Sequence, residues 1–123
     1  MGKETGRSYE QADGEQAMTN IYGEKLDRNG YAPSILNQQE GECFVCGKGG
    51  DLVRHEVFYG TAYRSRSKEL GVWVSVCPEC HAAIHDKADD LDRQLKQIAQ
   101  MKAMLDYRWS VQDFRQRFGK NWL

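Results

Sequence analysis

The 123-residue sequence has no long hydrophobic run, no marked excess of either charge and only two prolines. No apolar stretch approaches the roughly 20 residues that a membrane-spanning helix needs, so no membrane partner is expected. Residues 1–9 are polar and lack the apolar centre of a secretory signal. The formal net charge is −1, which argues against a strongly basic nucleic-acid-binding chain. A cytoplasmic location is therefore expected. Thiols stay reduced there, and paired cysteines read as metal ligands before they read as disulfides.

Cysteine and histidine are scarce as well, at four and three residues, but all seven fall between Cys43 and His85. This stretch reads Cys43-Phe44-Val45-Cys46, then Arg54-His55-Glu56, then Cys77-Pro78-Glu79-Cys80-His81, and closes on His85. The rest of the chain is organised around it. Residues 1–40 hold four basic and seven acidic side chains, residues 41–85 five of each, and residues 86–123 eight basic and six acidic. The basic bias of the last stretch suits a face turned to a phosphate backbone, and it suits a solvated helix face equally.

Residues 1–40 read as a polar, flexible or loosely docked N-terminal arm. Within it Asn29-Gly30 signals a turn, and Tyr31–Leu36 a short extended piece in which Pro33 disfavours helix. Residues 41–123 read as the folded domain. Leu52–Tyr59, rich in Val, Phe and Tyr, predicts a first strand that Gly60 ends. Thr61–Leu70 is a polar, basic loop or short helix. Val72–Val76 predicts a second, β-branched and aromatic strand. Pro78 suits the first turn of a helix carrying Cys80, His81, Ile84 and His85, with the two histidines on one face. Asp89–Asp106 continues as a helix with an apolar stripe of Leu91, Leu95, Ile98 and Leu105. Ser110, with Asp113 three residues on, starts a last helix whose Val111, Phe114 and Phe118 share a face and which Gly119 caps. The expected class is α+β.

Two Cys-x-x-Cys pairs with thirty intervening residues match a tetrahedral Cys₄ zinc site of Cys43, Cys46, Cys77 and Cys80. A chain this short gains much from such a staple. The histidines are then left over. Two lie on one helix face and the third on a strand that a strand–strand–helix unit brings alongside. A second metal site of His55, His81 and His85 is expected, against three unrelated histidines. The basic residues Arg64, Arg66 and Lys68 grip phosphates beside that site in one reading and are a solvated loop in the other. Trp73, Trp109 and Trp122 are expected to pack in the core or between helices.

With these elements the chain resembles the ββα-metal, or HNH, endonucleases, in the subgroup that binds zinc through two Cys-x-x-Cys pairs. In that subgroup Cys-x-x-Cys precedes a strand bearing the first histidine, and a second strand leads to Cys-x-x-Cys-His on the helix. Arg54–Gly60, Gly71–Val74 and the ending Phe118–Leu123 look like small HNH-type proteins encoded by bacterial prophages. The resemblance covers roughly residues 28–123. It implies a zinc-stapled ββα-metal core with C-terminal helices, in a bacterial host cytoplasm. It also implies a DNA endonuclease or nickase that hydrolyses phosphodiesters with Mg²⁺, Mn²⁺ or another divalent ion. His81 and His85 are then ligands of the catalytic ion. His55 is either the general base or a ligand with Glu56 in the base position. Its ordinary pKa suits the first role, and a carboxylate suits either. Arg54 joins the basic loop as a nucleic-acid contact. Specificity comes from DNA structure or from a protein partner. The sequence does not fix the oligomeric state. Glu69–Val74 holds no Asn where the family's middle Asn orients the base, and this favours the alternative of a weakly active or inactive zinc-stapled module that binds DNA or a protein.

Overall fold

The computed structural model describes residues 18–37, 39–86 and 90–123. Six elements follow one another: β1 (Val53–Glu56), α1 (Arg64–Glu69), β2 (Trp73–Val76), α2 (Pro78–Ile84), α3 (Leu91–Tyr107) and α4 (Val111–Phe118). Among the described residues the fold is a small mixed α/β arrangement of a two-stranded sheet and four helices. β1 and β2 are antiparallel, with Val53 opposite Val76, Arg54 opposite Ser75, His55 opposite Val74 and Glu56 opposite Trp73.

Side chains alternate across a strand, and this sets what each face does. His55, Val74 and Val76 are buried. Arg54, Glu56, Trp73 and Ser75 take the other face. β1 is shorter than the expected Leu52–Tyr59. The hydroxyl of buried Ser67 bonds both the amide and the carbonyl of Phe58, at 3.1 and 2.7 Å. The backbone there pairs with α1 rather than extending a ladder. The 61–70 stretch resolves into the six-residue α1.

Residues 18–37 differ from the flexible arm expected over 1–40, because they dock on the sheet. Trp73 donates from its indole to the Ala32 carbonyl at 2.8 Å, the Ser34 hydroxyl donates to the Trp73 carbonyl at 2.6 Å, and the Ser75 amide donates to Asn37 at 2.7 Å. Further along, Asn20 donates to the Glu69 carbonyl, while Tyr22 stacks on Tyr107 and accepts from the Trp109 indole. Ala32 and Leu36 are buried. The contacts are mainly hydrogen bonds and ring packing from scattered positions, which leave no apolar period in the sequence. Residues 1–17 of that arm lie outside the described residues, as do Gln38 and residues 87–89, including the expected helix start at Asp89.

Gly71 makes the docking sterically possible. Its φ is +74°, and a Cβ there would fall 2.3 Å from the Pro33 carbonyl oxygen. Gly71→Ala is expected to cost about 1–3 kcal/mol for the left-handed backbone alone, with more for pushing residues 31–37 off the sheet. Thermal denaturation checks this: a melting midpoint within a degree of wild type would mean that this segment does not pack as described.

The apolar stripe expected on α3 is corrected. Leu95 is buried and Leu91 half-buried, but Ile98 is 49% and Leu105 76% exposed. The face that packs is Leu95, Ala99 and Ala103, with Lys96 and Gln100. Small residues allow close helix approach, and Gln100 is kept inside by its bonds. Its amide nitrogen donates to Asn121 and its carbonyl accepts from the Trp122 amide, both at 2.8 Å. This gives the Asn121-Trp122 stretch a structural use. Gln100→Ala should cost about 2 kcal/mol, since it removes two hydrogen bonds of a fully buried side chain that tie the C-terminal residues to α3; a urea-unfolding midpoint indistinguishable from wild type would contradict it. The α4 expectations hold. Ser110 and Asp113 form both halves of a capping box, and Gly119 closes the helix at φ 83°. Phe114 and Phe118 are buried with Trp109, while Val111 is exposed.

Candidate functional site

Two pockets lie along α2, one of sulfur and one of imidazole. Cys43 and Cys46 sit on a tight turn, closed by the Gly47 amide donating to the Cys43 carbonyl at 2.8 Å. The turn is pinned to β2 where the Phe44 amide donates to the Ser75 carbonyl at 2.8 Å. β2 runs straight into Cys77, the N-cap of α2, whose sulfur accepts from the Cys80 amide at 3.4 Å. Pro78, which has no amide proton to satisfy, occupies the first turn.

The four sulfurs lie within 4.8 Å of one another, and Cys46 and Cys77 are 3.8 Å apart. A tetrahedral ZnS₄ centre with bonds of about 2.3 Å has edges of about 3.8 Å. The cysteines are thus close enough to hold one metal ion such as zinc. Burial works to raise the Cys43 thiol, but the backbone amides of Cys46, Cys77 and Val45 aimed at its sulfur bring it down to about 6. Thiolate is the form that binds metal.

The second pocket joins β1 to α2. His55 comes from the buried face of β1, His81 from the middle of α2, and His85 from its C-cap. Ring centroids are 5.4 Å apart for His55–His81 and His55–His85, and 4.9 Å for His81–His85. The planes meet at 66–80°, so the rings converge without stacking. One nitrogen from each lies within 4.8 Å of the others. Nε2 of His55 is buried and has no hydrogen-bond partner. Such an atom inside a protein calls for an explanation, and a shared cation is one. Burial, then the two neighbouring imidazoles, press the His55 pKa down to about 4. Burial, then His85, lower that of His81, with Glu56 opposing. His55 is therefore neutral at pH 7, as a metal ligand must be.

The histidines open into a cavity of about 220 Å³ lined also by Arg54, Glu56, Tyr59 and Arg64. Of the residues expected from sequence, the structure gathers the four cysteines in one place and the three histidines in another, and sets Glu56 and Arg64 on the rim. Arg66 and Lys68 do not line the cavity. Arg66 donates to the Arg117 carbonyl at 2.7 Å, and Lys68 lies 4.8 Å above the Tyr31 ring. Arg54 pairs with Asp27 at 2.8 Å and lies 4.3 Å from the Tyr31 ring and 4.9 Å from that of Trp73.

Sequence reading missed Tyr31, Tyr59, Asp92 and Lys96. Tyr59 meets His55 edge-on and lies tilted against His85. Burial, then the Asp92 carboxylate bonded to its hydroxyl, raise its pKa. Asp92 also holds the buried Lys96 ammonium at 2.6 Å, which lies 4.1 Å from the Tyr59 ring. Tyr31 donates its hydroxyl to Oε2 of Glu56, and burial, then that bond, push its pKa up to about 12. The only signal for Tyr59 was its position four residues after His55, and Tyr31 carried none beyond its aromatic ring. Among the described residues, no helix is long and apolar enough to cross a membrane. In comparisons with protein-family models, curated proteins and solved structures, nothing matched the chain.

Proposed function

We propose that the protein is a metal-dependent phosphodiester hydrolase of the ββα-metal kind, acting on DNA as an endonuclease or nickase. The observations that carry this reading are the convergence of His55, His81 and His85 and the buried, unpartnered Nε2 of His55. Support comes also from the order of parts: a cysteine pair, a strand with a histidine, a second strand, then a helix that carries a cysteine pair and two histidines.

The sulfur pocket serves as a structural zinc site and the imidazole pocket as the catalytic one. A divalent ion held by imidazoles supplies a Lewis acid that polarises a phosphoryl oxygen and brings the pKa of a bound water toward neutrality. His55 is assigned as the third ligand rather than as general base. Its ring is buried beside the other two imidazoles, while a base must reach a water in the open cleft. Tyr59 holds the His55 and His85 rings in place by packing, and is itself fixed by Asp92. The prophage origin and the need for a partner to supply specificity belong to the same reading.

The test is incubation of zinc-loaded protein with supercoiled plasmid in Mg²⁺, Mn²⁺ or Ni²⁺. Nicked circles are expected with at least one of them. A shifted band on a native gel with no nicking under any ion would make the protein a binding module instead.

A further inference from the structure

Glu56 and Arg64 on the rim of the imidazole cavity, with Tyr31 behind them, form a chain of contacts that ion binding does not require. Tyr31 arrives from the docked 18–37 segment, its ring lying edge-on to Trp73 and near the cations of Arg54 and Lys68. Its hydroxyl donates to one oxygen of Glu56. The other oxygen of Glu56 lies 3.5 Å from Nε of Arg64. Arg64 borders the same cavity as the imidazoles. Arg64 is 62% exposed, so the pair adds little stability. What it does is fix the direction of a side chain that would otherwise sweep through solvent. A guanidinium fork matches two phosphoryl oxygens.

Of the other basic side chains expected here, Arg54 is engaged by Asp27 and Arg66 by the Arg117 carbonyl, while Lys68 lies over the Tyr31 ring. The two oxygens of Glu56, meanwhile, are met by a hydroxyl and a guanidinium. This suits a carboxylate that holds another group in position better than one waiting for a proton.

We propose that Arg64 binds the phosphodiester of a nucleic-acid strand at this site, and that Tyr31, acting through Glu56, is the positioning residue that aims it. The catalytic meaning of this rests on the hydrolase reading, but the binding does not. Arg64 becomes the anion-binding wall of a cavity whose opposite wall is imidazole. The strand then passes over α1, where Gly60, Thr61, Arg64, Ser65 and Lys68 line a further recess.

The experiment uses the zinc-loaded full chain and a fluorescein-labelled 20-base-pair duplex, with binding read by anisotropy over a salt series without added divalent ion. Arg64→Gln should weaken binding about tenfold and flatten the salt dependence by about one unit of log–log slope, as loss of one phosphate contact does. Arg115→Gln, an equal charge change at an exposed position of α4, should shift binding by less than about twofold. Tyr31→Phe removes a hydroxyl and no charge, and should weaken binding severalfold. In the Arg64→Gln background it should cost nothing further, because its only route is through Arg64. Mn²⁺ uptake at the histidines, measured by calorimetry, should be unchanged in Tyr31→Phe. Equal losses in Arg64→Gln and Arg115→Gln would overturn the proposal by showing diffuse charge attraction. Additive losses in the double variant would overturn the positioning role. Absence of Mn²⁺ uptake by the wild type would sink the hydrolase reading alone, with the anisotropy comparison still deciding the fate of Arg64.

Discussion

Cys77→Ser is expected to yield a chain that neither retains zinc nor melts cooperatively. A structural zinc contributes about 10–16 kcal/mol of binding free energy at neutral pH, as much as the whole stability of a typical domain, about 5–15 kcal/mol. Cys77 has further uses. It is buried at the junction of β2 and α2, and its sulfur accepts the Cys80 amide. Serine offers a poor ligand on a shorter bond, so only the three sulfurs of Cys43, Cys46 and Cys80 are left to hold the ion. Metal analysis after dialysis should give one zinc per wild-type chain from the cysteines and none in the variant, with near-ultraviolet dichroism lost. A variant that still unfolds in a single sharp transition near the wild-type temperature would show that the cysteines do not staple the fold.

The second large effect is expected at His81. His81→Ala should leave zinc content and melting close to wild type, because the side chain is half-buried and makes no hydrogen bond that the fold depends on. The exchangeable ion should be lost, since two imidazoles replace three. Plasmid nicking should fall by about three orders of magnitude, the equivalent of the several kcal/mol that a bound cation supplies. His55→Ala is the weaker experiment, because it also leaves a void in a buried strand. Nicking that survives His81→Ala at the wild-type rate would mean a contaminating nuclease or a different site, and the hydrolase proposal would fail.

Much of this architecture was readable before any coordinates. The two cysteine pairs announce themselves because each is a local device, a turn and a helix start, whose spacing the metal dictates. His81 and His85 are paired by helix periodicity, and His55 follows once β1 is placed against α2. The last helix is legible from Ser110, Asp113 and Gly119, since capping is a matter of a few neighbouring residues. What stayed hidden depends on distant partners. Segment 18–37 is held by Asn20, Ala32, Ser34 and Asn37 bonding groups some forty positions away, and hydrophobic patterning cannot register that. The inner face of α3 was misjudged because Leu and Ile outweigh Ala in any apolar count, although Ala99 and Ala103 are what let the helix close on the core. Arg54 was legible as basic but not as the partner of Asp27. Tyr31 could be assigned no task until its hydroxyl was seen at Glu56.

Cys80 and His81 are consecutive residues of α2, so the two pockets share one short rigid support. On the proposed reading, a chelator that takes an ion from the thiolates would also disturb the imidazoles on the same helix, and any coupling between the two ions would be equal in both directions. If the proposed hydrolase reading holds, oxidation of the sulfur knuckle would lower that activity without modifying any group that touches phosphate.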